Sequence, residues 1–343
     1  MTRVLPRGAG LALALCLFAA APAAAADMTL KGAAALSGRY FGAALDPDAF
    51  DEKAYGQLAR DQLGAVTPEN AMKWAEVEPL RGVFDWSAAD RLVAFAEANG
   101  QKIRGHNLVW HSQLPPWLTG GTFTPAELRQ LMVDHVTVEA ARYRGAIYAW
   151  DVVNEPFADD GAWRPSIWFQ AMGPDYVEIA LRAARAADPQ AKLYINDYNV
   201  ESAGPKMRAL YDLVASLKRK GAPLDGVGFQ SHFVVGRTPD DLRDVLQAFA
   251  DLGVDVAVTE LDLRMKLPPD AKALADQAAD YAKVVRACMA VKRCVGVTTW
   301  GITDDRSWIP SFFSGYGAAL PFDADYQPKP AFFAAVGAFA SAP

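Results

Sequence analysis

The chain has 343 residues, with 34 Lys and Arg against 40 Asp and Glu, a formal net charge of −6. An acidic balance argues against nucleic acid as a partner, because phosphate backbones recruit an excess of Lys and Arg. The length suits one barrel-sized domain, and no Pro/Ser/Thr-rich linker or low-complexity tail divides it.

The N-terminus has its own pattern. Arg3 and Arg7 make a basic start, Leu11 to Ala21 is apolar, and Ala24, Ala25 and Ala26 form a small-residue cleavage site before Asp27. This predicts a secretory signal peptide over residues 1–26, too short for a membrane span, ahead of a single domain over 27–343. The expected destination is the periplasm or the medium. No other apolar run is long enough to cross a bilayer, so no membrane partner is expected. Cys16 leaves with the leader. Cys288 and Cys294 remain, and an even pair in an exported chain predicts one disulfide closing a small loop. The bland alternative is two free buried thiols.

Beyond the leader, short β-rich apolar runs alternate with longer helical segments. The strand-like runs are Tyr40–Leu45, Gly64–Thr67, Lys102–Val109, Ile147–Val153, Lys192–Ile195, Gly226–Phe229, Val254–Thr259 and Val295–Trp300. Between them the apolar spacing predicts helices over Ser87–Asn99, Pro125–Arg142, Asp175–Ala187, Pro205–Lys220, Pro239–Leu252 and Ala271–Val291. Ser87 and Thr124 read as N-caps, with Pro125 at a first helical position, and Gly100 and Gly221 sit where helices should stop. This alternation predicts an α/β fold, a single (β/α)8 TIM barrel. A doubly wound open sheet is the alternative, weakened by the lack of a Gly-rich dinucleotide fingerprint after the first run.

A barrel places its chemistry at the C-terminal ends of its strands. Polar residues gather there: Glu69 and Asn70, then His106, Trp110 and His111, then Asn154 and Glu155, then Asn196 to Asn199, Gln230 and His232, Glu260 and Asp262, and Trp300. Two runs drive an apolar stretch straight into a carboxylate, Trp150 to Glu155 and Val258 to Asp262. Burying a carboxylate costs free energy, so a chain that does so twice points to use of the pair. Two such groups facing each other across a sugar can cut a glycosidic bond. His106 and His111 stand at odd spacing, which in a strand points them to opposite faces, so no shared metal is expected; no cofactor is expected either. Trp74, Trp86 and Trp117 read as packing residues, and Asp159 and Asp160 as an exposed turn.

These residues carry a resemblance. Glu69-Asn70-Ala71-Met72-Lys73-Trp74, Gly105 to His111, Trp150 to Glu155, Ile195 to Asn199, Gln230-Ser231-His232, Thr259 to Asp262, Thr299-Trp300-Gly301 with Asp304, Ser307 and Trp308, and Pro328-Lys329-Pro330 stand in order. Together they resemble glycoside hydrolase family 10, the endo-β-1,4-xylanases, from about Phe41 to Phe333. The resemblance implies hydrolysis of xylan with retention, Glu155 as acid/base and Glu260 as nucleophile. It implies support from Asn154, which would bond the sugar 2-hydroxyl, and from His232 and Asp262. Glu69, Asn70, Lys73, His106, Trp110 and Gln230 would grip the non-reducing side, Trp300 and Trp308 would form aromatic walls, and Tyr198 and Asn199 would face the leaving group. Asn107 and Pro156 depart from residues common in the family. The implied partners are xylan and xylo-oligosaccharides, with a monomer as the default. A related retaining β-1,4-glycanase and a non-catalytic glycan-binding protein on the same scaffold are the alternatives; the intact carboxylate pair argues against the latter.

Overall fold

The computed structural model describes residues 28–341, and the leader predicted over 1–26 lies outside them. Eight parallel strands form the ring: β1 (Tyr40–Leu45), β2 (Ala65–Pro68), β3 (Lys102–Val109), β4 (Ile147–Asn154), β5 (Lys192–Asp197), β6 (Gly226–Phe229), β7 (Asp255–Lys266) and β8 (Cys294–Thr299). Each pairs in parallel with the next, and β8 pairs back onto β1 through Tyr40↔Gly296 to Ala43↔Thr299. The closed ring excludes the open sheet. The strands read as apolar runs because helices cover their outer faces while side chains fill the inside.

The helices appear where the apolar spacing predicts them. Pro125–Arg142 starts with a full capping box, Thr124 exchanging hydrogen bonds with Glu127. Gly100 and Gly221 both take positive φ where helices end. Ser87 is a correction: it lies inside its helix, and Asp85 accepts from its backbone N–H and hydroxyl instead. The helix predicted from Pro239 begins at Leu242, and two short strands, His232–Val234 and Tyr316–Gly317, flank the far half of β7. Seven residues beyond its predicted end, β7 stops at Lys266, so Glu260 sits within a strand rather than after one.

The base of the barrel is polar and aromatic. Arg104 forms a doubly bonded ion pair with Asp151, its Nε 3.0 Å from Oδ2, and its guanidinium lies 4.5 Å from the Tyr194 ring centre. Tyr148 donates to Tyr40 across the interior at 2.7 Å. Glycines make room for these rings: a Cβ on Gly226 would stand 2.1 Å from Tyr194, and one on Gly296 would stand 2.6 Å from Tyr40. The predicted disulfide is present. Cys288, near the end of helix Ala271–Met289, bridges to Cys294 at the start of β8, with Cα atoms 5.3 Å apart. No helix among the described residues is long and apolar enough to cross a membrane.

Candidate active site

Glu155 is the first residue beyond β4. Its φ of +55° turns the chain sharply after Asn154, and its backbone N–H donates to Asn196 O at 2.8 Å. Few non-glycine residues hold this conformation, so the backbone itself aims the carboxyl. Pro156 follows and cannot continue the strand. Arg164 fixes the turn from outside, its Nε donating to Glu155 O at 3.0 Å and its Nη2 to Phe157 O and the Tyr198 hydroxyl.

Glu260 sits three strands further round the ring, on β7. Asn196 Nδ2 donates to its Oε1 at 2.7 Å, and His232 Nε2 lies 3.1 Å from its Oε2. A carboxylate is an acceptor only, and here each oxygen meets a donor. His232 in turn lies 2.8 Å from Asp262 Oδ2 through its Nδ1. Burial opposes charge on that imidazole, but the charges and hydrogen bonds of Asp262 and Glu260 outweigh it and push its pKa up to about 10. His232 is therefore an imidazolium at neutral pH and donates from both nitrogens. Asp262 also accepts from Trp308 Nε1 at 2.9 Å, which locks the indole beside the histidine.

Side-chain amides connect the two carboxyls. Asn154 Nδ2 points at Glu155 Oε1 at 3.4 Å, and its Oδ1 accepts from Asn196 Nδ2 at 2.9 Å, the same nitrogen that holds Glu260. Thr259 Oγ1 donates to Asn196 Oδ1 at 2.7 Å, which fixes the orientation of that amide. Gln230 Nε2 donates to Asn154 at 3.3 Å and to Glu155 Oε1 at 3.2 Å. Gln230 thus contacts a carboxyl of the pair, not only the sugar grip expected of it. Asn196 was visible at a strand end but went unassigned; its role as the bridge is set by pairing across strands.

Several of the remaining predicted residues stand close to one another. Lys73 is buried, donates to Asn70 Oδ1 at 2.8 Å and lies 5.2 Å from the Trp110 ring centre and 5.9 Å from that of Trp300. Burial lowers its pKa, while Glu260, Glu69 and Glu155 pull it back up; burial raises that of Glu69, against Lys73. His106 Nδ1 is 3.0 Å from Asp151, and its ring meets Trp300 edge-on at 5.1 Å. Trp110 carries a buried Nε1 with no hydrogen-bond partner among the described residues. His111 faces Glu155 Oε2 at 3.8 Å, and burial with Arg164 and Lys206 nearby pulls its pKa to about 4, so it is neutral.

Tyr198 and Asn199 are braced from below by a residue the sequence did not single out. Lys206 is buried; its ammonium lies 3.3 Å from the Tyr198 ring centre, 3.0 Å from Asp197 and 3.4 Å from Asp159, which accepts from Asn199. Burial raises the Asp197 carboxyl to about 7 despite Lys206. Asp159 and Asp160 are exposed in a turn, as expected. Trp74 stacks on His135 at 3.7 Å and on Trp168 at 5.2 Å, and serves packing. Among the described residues no group of three or more His, Cys, Asp or Glu is placed to hold a metal ion.

The Glycosyl hydrolase family 10 model matches residues 29–338. Endo-1,4-beta-xylanase A of Phanerodontia chrysosporium is 50% identical over 295 residues, 85% of this chain and 72% of that protein. A glycosylated endo-beta-1,4-xylanase from Gloeophyllum trabeum superposes with a TM-score of 0.87 at 47% identity, over 91% of this chain and 99% of its own. Xylanase 10B from Thermotoga petrophila RKU-1, solved in complex with xylobiose, superposes with a TM-score of 0.89 at 38% identity, over 91% and 97%. A match over nearly the whole described barrel, with the carboxyl pair at its mouth, places this chain in glycosyl hydrolase family 10.

Proposed function

We propose that this family 10 hydrolase is a retaining endo-β-1,4-xylanase that cuts internal xylosidic bonds, with Glu155 as acid/base and Glu260 as nucleophile. The observation that carries the reading is that one amide network, Glu155–Asn154–Asn196–Glu260, reaches two carboxyls of unlike surroundings. Retention needs them about 5–5.5 Å apart, so that one can reach the anomeric carbon while the other reaches the glycosidic oxygen.

The reaction divides the work. Glu155 gives its proton to the glycosidic oxygen as the C–O bond breaks. Glu260 attacks the anomeric carbon from the other face and forms a glycosyl ester. Water then enters on the leaving-group side, gives a proton to Glu155 and its oxygen to the anomeric carbon, and Glu260 departs as carboxylate. His232 and Asn196 hold Glu260 at one angle through the cycle. Asn154 has a weakly engaged Nδ2 beside Glu155, suited to donate to the sugar 2-hydroxyl. Lys73, Glu69, Asn70, His106 and Trp110 offer fixed polar partners for hydroxyl edges, while Trp300 and Trp308 offer flat faces for pyranose C–H surfaces. The xylanase names of the relatives and the xylobiose bound in the Thermotoga petrophila enzyme support xylan as the polymer. The leader pattern supports export to the periplasm or medium.

Four measurements test this. Digestion of xylan, glucuronoxylan and cellulose in parallel should give internal cleavage of the xylans and little release from cellulose; preferred cleavage of cellulose would identify a glucanase. Proton NMR of the first products should show the β anomer, and initial α product would overturn double displacement. Glu260→Ala should abolish turnover while oligosaccharide binding stays measurable. Glu155→Ala should slow substrates with poor leaving groups far more than activated aryl glycosides.

A further inference from the structure

Phe312 exposes 71% of its surface, more than any other large apolar side chain among the described residues. It ends the short helix Ile309–Phe312, in the loop that follows β8. Ile309 anchors that helix, fully buried with Ala319 and Leu320, and Trp308 and Phe313 pack against the same cluster. Phe312 itself lies outside that cluster, so core burial does not account for an aromatic ring at position 312.

Its neighbours hold the ring without covering it. The Trp308 ring centre is 5.2 Å away, tilted at 50°, and the Phe313 ring centre is 5.0 Å away, at 68°. Phe313 is itself pinned by the Arg264 guanidinium, 4.1 Å from its centre. Trp308 is fixed by its bond to Asp262, and its ring stands 5.1 Å from His232, the residue that holds Glu260. Aromatic rings thus step outward from the carboxyl pair in the order His232, Trp308, Phe312, and the last has its surface open to solvent.

We propose that Phe312 is a further sugar platform, stacking on a pyranose ring of the same polymer beyond the ring held at Trp308. This rests on the reading of the cleft as a xylan-cutting site. A polymer bound across the cleft continues past the bond being cut, and a pyranose presents an apolar C–H face suited to an exposed, preset aromatic ring. Phe312 acts as a substrate-length determinant: a short substrate never reaches it, and a long one gains affinity from it.

The test compares Phe312→Ala and Phe312→Trp with the unaltered enzyme on an aryl xylobioside, on xylo-oligosaccharides of increasing length and on xylan. Phe312→Ala should leave kcat/KM on the aryl xylobioside unchanged and lower it on the longest oligosaccharides by about fivefold, the loss expected for a few tens of Å² of apolar contact. Phe312→Trp should restore it. The same loss at every length, or none at the longest, overturns the platform. A melting temperature that falls in Phe312→Ala, or a dimer of the unaltered enzyme that Phe312→Ala dissociates, also overturns it by giving the ring a packing or interface role. An unaltered enzyme inactive on xylan would instead sink the functional reading itself.

Discussion

Asn196 holds Glu260 at 2.7 Å through the same amide nitrogen that reaches Asn154, so one side chain sets the position of both halves of the site. A buried hydrogen bond to a charged group contributes about 1.5–3 kcal/mol. Asn196→Ala should therefore lower kcat on xylan by roughly ten- to a hundredfold with a smaller change in KM. Steady-state kinetics check this, and an unchanged kcat would remove the bridge from the mechanism. Asn196→Asp should be worse, because it sets a second carboxylate against Glu260.

His232 makes the enzyme sensitive to alkali. Its imidazole titrates near the ordinary value when unfolded and at about 10 when folded. The fold therefore favours the imidazolium. That stabilisation is fully present below about pH 6.5, declines as pH rises, and is lost as pH passes the folded value. Urea unfolding at pH 6 and pH 9.5 should show a smaller decline in His232→Asn than in the unaltered enzyme. Equal declines would mean that His232 is not charged in the folded state.

The disulfide closes a short loop, Cys288 to Cys294, at the N-terminal end of β8, while the carboxyl pair lies at the C-terminal mouth of the barrel. Loop-closure entropy for so few residues is worth about 2 kcal/mol. Replacing both cysteines with Ala should lower the melting temperature by about 3 °C for a domain of this size and leave kcat/KM on xylan unchanged. A loss of activity without a loss of stability would give the bridge a role in the site.

Arg104 and Asp151 carry opposite charges in the barrel interior, and Asp151 also bonds His106 at 3.0 Å. Arg104→Met would strand the Asp151 carboxylate. Removing one partner of a buried pair costs about 3–5 kcal/mol. Chemical denaturation should show that loss, and KM for xylan should rise because Asp151, no longer clamped by Arg104, holds His106 less firmly. Arg104→Met combined with Asp151→Leu should recover part of the stability but not the KM.

Much of this was legible in the chain because barrel strands announce themselves locally. Apolar runs, helix caps and positive-φ glycines depend on near neighbours, so Tyr40–Leu45 and Asp175–Ala187 fall where their patterns place them. The carboxyl pair was legible for a related reason, since an apolar run ending in Glu is visible in one dimension. Asn196, Arg164 and Lys206 were not. Each takes at least one partner from another strand or loop, and Lys206 looks like any helix lysine until its buried ammonium is found against Tyr198. The overrun of β7 to Lys266 was hidden too, because its far half pairs with His232–Val234 and Tyr316–Gly317, segments too short to show a period.

The pairing of β1 with β8 has a consequence in time. The carboxyl pair is complete in the chain once Glu260 has been made, yet the ring that aims it stays open until residues 294–299 return to lie beside Tyr40–Ala43. Such contacts between distant parts of a chain form late and cooperatively. While residues 294–299 are still held on a ribosome the ring therefore stays open, and the hydrolase is finished only when that strand is free to dock.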